Sequence, residues 1–394
     1  MIMEGPLPGR QKCIAIALAV ALIAAGCFAS RTFPPPGRAD LGRFGLGVPK
    51  SEAPERMPAL VPVTATQPVP RTILAISGGG SYGAYTAGVI KGWTASGSRP
   101  QFDVVTGVST GALIAPFAYL GPDYDAELEL MYTKPSARDI FRIHSLPRLP
   151  WSDAIADSAP LRRMIEAGVT PKELERIAAA HRSGRRLYVA TTDLDTKRAV
   201  VWDMGAIAAG DDPNKRELFC KVLLASASVP GLMPPVPIDI TLGQEQRTEL
   251  HVDGAISASV FVHPGMVTSP ARIYVLVSGK LAPESTPVSQ RLMDVTAASL
   301  NGIFIARLRD DVQRIYRLAQ REDAEFAVAR MPDDFIGAPT SMSFDPAMMR
   351  KMFDEGFRCG LTPAKWPKAP PGVDHEDPPT PRSGVKFPAL SKTP

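Results

Sequence analysis

Gly107-Val108-Ser109-Thr110-Gly111 sets one hydroxyl between two glycines, directly after the apolar run Phe102 to Thr106. A strand that turns sharply into a helix at such a pentapeptide leaves the serine at the tip, because Gly107 and Gly111 remove the side chains that would crowd the turn. The apolar stretch Ala112 to Leu120 supplies the helix. Its free amides and positive dipole end would face Ser109 and favour the negative charge that develops when a serine attacks a carbonyl. The chemistry implied is acyl transfer. Because the pentapeptide alone is also a common turn, the residues around it have to carry the assignment.

Ser77-Gly78-Gly79-Gly80-Ser81-Tyr82-Gly83-Ala84 follows a short apolar run, Thr72 to Ile76, and leads into a helical pattern through Tyr85, Val89, Ile90 and Trp93. Three glycines between strand and helix let backbone amides approach a ligand without obstruction. Two anions compete for such a loop. Gly78-x-Gly80-x-x-Gly83 has the spacing of a nucleotide-phosphate loop, but the next strand ends in Ser109 and not in a ribose-binding acid. An oxyanion formed at Ser109 is the better match, with Gly78, Gly79 and Gly80 as the expected hole. Strand, helix and strand make a βαβ unit with a right-handed crossover, so both loops should emerge at one edge of a parallel sheet.

Ser109 needs a proton acceptor. The five histidines stand at 144, 181, 251, 263 and 375, and none falls well into the order serine, acid, histidine of an α/β-hydrolase. In Glu249-Leu250-His251-Val252-Asp253-Gly254-Ala255, apolar and polar residues alternate, which puts His251 and Asp253 on one face of a short strand. Either could be the base. An unperturbed aspartate, with a pKa of about 3.9, would need partial desolvation to act near neutrality.

Taken in order, the Gly78-Gly79-Gly80-Ser81-Tyr82-Gly83 loop, the Gly107–Gly111 elbow and the Asp253-Gly254-Ala255 triplet resemble the patatin-like phospholipase family. Ala227-Ser228-Val229-Pro230 through Pro234-Pro235 adds a fourth match, and the likeness covers roughly Arg71 to Gly360. Ser77 stands where plant relatives often carry Asp, and Tyr82 where many carry Arg. The resemblance implies a Ser-Asp dyad with Ser109 as nucleophile, Asp253 as general base and the Gly79 and Gly80 amides at the oxyanion. It implies no metal and no cofactor, and makes His251 a neighbour of the dyad. The implied substrates are carboxylic esters of lipids, phospholipids and lysophospholipids first, cleaved through an acyl-serine intermediate. The alternatives are an acyltransferase using the same dyad and a non-catalytic, membrane-anchored lipid-binding lipoprotein.

The elements that must position these motifs are legible as periodic segments. Strands are expected over 187–192, 199–202 and 273–277, and helices over 161–164, 171–180, 215–227, 292–321 and 347–357. The expected architecture is a three-layer α/β/α patatin-like domain around a mostly parallel sheet, with 123–181 inserted over the site. The Pro-rich apolar segment 228–236 reads equally as the wall of an acyl pocket and as a buried loop.

The 394 residues are 45% hydrophobic, enough for a sizeable core. A net charge of +4, from 44 basic and 40 acidic residues, with no basic block interleaved with aromatics, gives no sign of a nucleic-acid partner. Cys13, Cys27, Cys220 and Cys359 show neither zinc nor disulfide spacing, and the latter two fall in helical patterns as buried free thiols. Residues 1–27 read as an export signal, with Arg10 and Lys12 ahead of an apolar run from Cys13 to Ala25 that is too short to span a bilayer. Ala24-Ala25-Gly26-Cys27 resembles a bacterial lipobox, with Ala24 where Leu is usual. Cys27 is therefore the expected lipidation site. Phe28 lacks the Asp of inner-membrane retention, so the expected location is the outer membrane, facing the periplasm. Residues 28–70 read as a Pro-rich tether against that membrane surface, 71–361 as the acyl hydrolase domain and 362–394 as a Pro-rich disordered tail.

Overall fold

Apolar runs too short for helices become the strands of one sheet in the computed structural model, which describes residues 71–145, 152–242, 245–282, 287–336 and 340–371. The chain divides into two units, Met1–Ala59 with Leu146–Ser152 and Leu60–Ser145 with Asp153–Pro394. Apart from Ser152 the first lies outside the described residues, as do the expected export signal, Cys27 and tether. All elements below belong to the second.

In chain order, β1 (Arg71–Ile76), α1 (Gly83–Ala95), β2 (Val104–Val108) and α2 (Thr110–Leu120) form the βαβα start. The inserted stretch holds α3 (Asp125–Thr133), α4 (Ala137–Ile140), the short hairpin strands β3 (Arg142–Ile143) and β4 (Ala156–Asp157), α5 (Ala159–Gly168) and α6 (Pro171–Arg182). There follow β5 (Arg186–Asp193), β6 (Arg198–Asp203), α7 (Met204–Ala209), α8 (Lys215–Ser226), β7 (Val236–Leu242), β8 (Glu245–Asp253), β9 (Ala271–Val277), α9 (Leu292–Arg321), β10 (Glu325–Arg330) and α10 (Pro346–Gly360).

The large sheet has the order β10-β9-β1-β2-β5-β8-β7, with β6 also paired to β5. From β10 to β5 every neighbour is parallel, while β6 and β8 meet β5, and β7 meets β8, antiparallel. At its centre the mostly parallel sheet is buried on both faces, so β1, β2 and β5 are buried along nearly their whole lengths. Alternate residues sort between the faces. Leu74, Ile76, Val105, Leu187 and Val189 join a core with α1, α2, α8 and α10. On the opposite side, buried Leu308, Val312 and Ile315 line one stripe of α9, whose Tyr316 meets Phe326 of β10 with ring centroids 5.2 Å apart.

One detail of register brings the two ends of the motif together. β6 occupies one edge of β5 along 188–193, so β2 and β8 must share the other edge. They do so end to end, with Val108 opposite Ala190 and Asp253 opposite the next residue, Thr191. The residue after β2 is Ser109 and the last residue of β8 is Asp253, so strand pairing alone sets them side by side.

α1 and α10 pack backbone against backbone. A Cβ on Gly88 or Gly92 would lie 2.0 or 2.1 Å from the carbonyl oxygens of Phe353 or Phe357, and one on Gly356 or Gly360 would lie 1.9 or 2.2 Å from those of Tyr85 or Val89. The first described residues of the expected tail are folded onto the domain. Pro363–Lys365 forms a 3-10 turn, and Trp366, 3% exposed, packs edge-on against Trp93 at 4.6 Å, so burial of one large aromatic holds a stretch otherwise rich in proline. β7 and β10 are strands where none was expected. Cys220 is buried and Cys359 half-buried, both as free thiols in helices. Among the described residues no helix is long and apolar enough to cross a membrane.

Candidate active site

The elbow is strained where Ser109 sits. Its backbone lies at φ 54° and ψ −125°, a conformation that residues with a Cβ rarely adopt and that functional sites store as strain. The flanking glycines permit it by close approach: a Cβ on Gly107 would fall 2.4 Å from the Gly111 carbonyl oxygen, and one on Gly111 2.4 Å from that of Ile76. The Ser109 N–H donates to Ser226 Oγ at 2.9 Å, and that hydroxyl donates to the Ala190 carbonyl at 2.7 Å. Ser109 also stands at the N-terminus of α2, where the helix dipole favours an anion.

Ser109 Oγ donates to Asp253 Oδ2 at 2.6 Å, the length of a charge-assisted bond. Asp253 is held from three sides. Its Oδ1 accepts the Ala255 N–H at 2.8 Å, its own N–H donates to the Ser228 carbonyl at 2.9 Å, and its carbonyl accepts from Thr192 Oγ1 at 3.0 Å. Gly254 has no room for a side chain, since a Cβ there would lie 2.4 Å from the Ala190 carbonyl oxygen. Burial pushes the Asp253 carboxyl up to about 6, against the opposing pull of the bonds from Ser109 and Ala255. That supplies the basicity an ordinary aspartate lacks.

The glycine loop divides in a way the sequence did not reveal. The Gly78 N–H is committed to the Ser259 carbonyl at 3.0 Å, which removes Gly78 from the expected donor trio. Gly79 and Gly80 have no such partner among the described residues, and they adopt φ 155° and 54°. Side chains there would collide with the carbonyl oxygens of Ser278 and Ser341, each 2.1 Å from the Cβ position. Ser77 braces the loop: its Oγ donates to the Gly78 carbonyl at 2.9 Å and accepts the Ser278 N–H at 2.8 Å, while Ser278 Oγ sits 2.8 Å from Thr86 Oγ1. Gly83 packs on the elbow, where a Cβ would meet Thr110 Oγ1 at 2.3 Å.

His251 shares the face of Asp253 but not its bond to Ser109. The fully buried ring has Nδ1 3.0 Å from Thr191 Oγ1 and Nε2 3.1 Å from Glu249 Oε2, and it lies edge-on to Trp202. Both ring nitrogens are thereby occupied. Burial lowers the imidazole below its ordinary value, with Glu249 opposing.

Several residues that position the site were not singled out from sequence. Ser226 backs Ser109, Ser278 braces the glycine loop, and buried Asp311 of α9 accepts the Ser259 N–H at 2.8 Å, fixing the carbonyl partner of Gly78. Met342 and Phe344, from the loop before α10, help line an apolar cleft that opens on Gly80, Ser109 and Thr110. Val229 and Met233 of the Pro-rich segment, with Ala227 just before it, form another part of its wall, so that segment does line a pocket. Among the described residues no cluster of three or more metal-ligating side chains occurs.

Residues 74–266 match the family model described as Patatin-like phospholipase. A "Patatin-like phospholipase domain-containing protein" of Meyerozyma guilliermondii is 31% identical over 171 residues, which are 42% of this chain and 22% of the relative. A "cUMP-AMP-activated phospholipase" of Escherichia coli is 43% identical over 65 residues, 16% of this chain and 20% of the relative. The chain thus spans about a fifth of the length of these curated relatives. Two solved structures align loosely: VipD from Legionella pneumophila, with a TM-score of 0.34 and 10% identity over 75% of this chain and 66% of that one, and the type III effector protein ExoU, with 0.28 and 13% over 74% and 53%. The matched residues include the glycine loop, the Ser109 elbow and the Asp253 triplet, and this part of the chain is a patatin-like phospholipase domain.

Proposed function

We propose that this chain is a serine acyl hydrolase cleaving carboxylic esters of lipids, with phospholipids or lysophospholipids as substrates. The observation that carries the reading is the 2.6 Å bond from Ser109 Oγ to a buried carboxylate pushed up to about 6. Asp253 takes the Ser109 proton as Oγ attacks the ester carbonyl. The amides of Gly79 and Gly80, without a partner among the described residues, receive the oxyanion, and the α2 N-terminus adds its dipole. Collapse expels the alkoxide, which takes the proton from Asp253 and leaves an acyl-Ser109 ester. Water, deprotonated by the same carboxylate, then releases the fatty acid. The apolar cleft beside Ser109 suits the acyl portion. The leader ending at Cys27 would tether the enzyme to the outer membrane, close to such substrates. Support for that part is the sequence of residues 1–27 alone.

The test is labelling of the full chain by a fluorophosphonate probe, alongside hydrolysis of short p-nitrophenyl esters. Wild type should label, with a rate that rises through about pH 6 as Asp253 loses its proton and is flat above it. Ser109→Ala should remove both labelling and hydrolysis. Folded wild type that neither labels nor hydrolyses would favour the lipid-binding alternative, and labelling retained in Ser109→Ala would remove Ser109 from its role.

A further inference from the structure

The cleft at Ser109 shares part of its lining with a second, narrow apolar pocket farther along α2. Leu113, Met131, Met164 and Ile165 line both, so these four side chains form a waist between a proximal and a distal chamber. The proximal chamber reaches Gly80, Ser109 and Thr110, and the distal one reaches Phe117, Leu120 and Gly168. Thr110, Leu113, Phe117 and Leu120 recur at helical spacing, which means that the two chambers follow one face of α2 from its N-terminus to its last residue.

The length of that track sets a ruler. Ten residue steps along a helix advance about 15 Å. An extended hydrocarbon chain advances about 1.25 Å per carbon for bonds and angles like those of the backbone, so the track from Ser109 matches about twelve carbons. The distal lining is apolar except for Glu173, whose carboxylate is engaged by Thr170 and Tyr124. Two of the four waist residues are methionines, unbranched and able to change rotamer without leaving a void.

We infer that the two cavities are one acyl-binding channel, and that the waist and distal chamber select long-chain fatty-acyl esters over short ones. This rests on the reading of Ser109 as the acyl-accepting nucleophile. Met164 and Gly168 are its specificity-determining positions. A Cβ on Gly168 would meet only Phe117 Cζ, at 3.4 Å, so a larger side chain there fits its backbone and grows into the distal chamber.

The experiment compares kcat/KM for p-nitrophenyl laurate and butyrate in the full-length wild type, Gly168→Leu and Met164→Ala, with circular dichroism reporting the fold. Each methylene kept out of an apolar site is worth about fourfold, so Gly168→Leu should lower the laurate-to-butyrate ratio at least tenfold, by about two methylenes or more. Met164→Ala, by widening the waist, should raise it. Ratios unchanged in both folded variants would overturn the channel while leaving the nucleophile intact. A wild type that hydrolyses neither ester and takes no fluorophosphonate would overturn the nucleophile and the channel with it.

Discussion

Asp253→Asn should make the protein more stable and inactive at once. Folding moves the carboxyl from 3.8 to about 6 because the charged form is desolvated beside Ser109. A carboxyl whose pKa rises on folding binds its proton more tightly in the native state. The stability conferred by that proton is full below pH 3.8 and is lost as pH climbs through about 6. A rise of about two units, at about 1.4 kcal/mol each, makes the ionised aspartate a native-state cost of about 3 kcal/mol at pH 8 and about half that at pH 5. Asparagine carries no charge and can keep both contacts, accepting the Ala255 N–H with its oxygen and donating to Ser109 Oγ with its amide. Thermal unfolding of both proteins at pH 5 and pH 8 reads the difference directly. The variant should melt higher at pH 8 by about 5 °C or more, with a gap that narrows at pH 5, while fluorophosphonate labelling falls at least about 100-fold. An asparagine variant less stable than wild type at pH 8, or a gap independent of pH, would refute the argument that burial of the charge is what makes Asp253 basic.

His251→Gln should separate structure from chemistry: loss of the ring between Thr191 and Glu249 leaves a buried carboxylate short of a partner and should cost about 1–3 kcal/mol in denaturant unfolding. Labelling of Ser109 should keep its pH midpoint, and its disappearance in folded variant would make His251 the base. Gly79→Ala should lower labelling about 100-fold, as loss of one oxyanion donor does, because its Cβ meets the Ser278 carbonyl. Gly97→Ala is the control, since it shares a positive φ but has nothing within 4 Å of its Cβ position; equal labelling in the two would remove Gly79 from the oxyanion site.

What was legible in the sequence is what is local. The Gly107–Gly111 elbow, the glycine loop and the Asp253 triplet each encode a turn whose geometry depends on a few adjacent residues, and the βαβ rule then puts two of them on one sheet edge. The pairing of Asp253 with Ser109 was supplied by family likeness and not by any periodicity. Its physical cause, two strands sharing one edge of β5, is a tertiary fact. A backbone group with two possible fates is likewise not legible from its neighbours. Nothing in three consecutive glycines says that Gly78 spends its N–H on Ser259. β10 is illegible in sequence because Ala327 and Ala329 carry little strand propensity, and they become strand by being buried at the edge of a parallel sheet. Ser226, Ser278 and Asp311 look like ordinary polar residues of helix or loop until their distant partners are in place.

The glycine contact between α1 and α10 has a consequence for timing. α1 begins at the glycine loop, near the start of the described chain, whereas α10 and the Ser341 carbonyl that accepts the Ser81 N–H at 2.8 Å come near its end. Domains are made from the N-terminus, at about 5–20 residues per second. Ser109, the glycine loop and the Asp253 triplet are therefore translated well before the helix that packs on α1. A chain still emerging from the ribosome carries Ser109 and Asp253 and lacks the clamp, so on the proposed function activity waits on the arrival of α10.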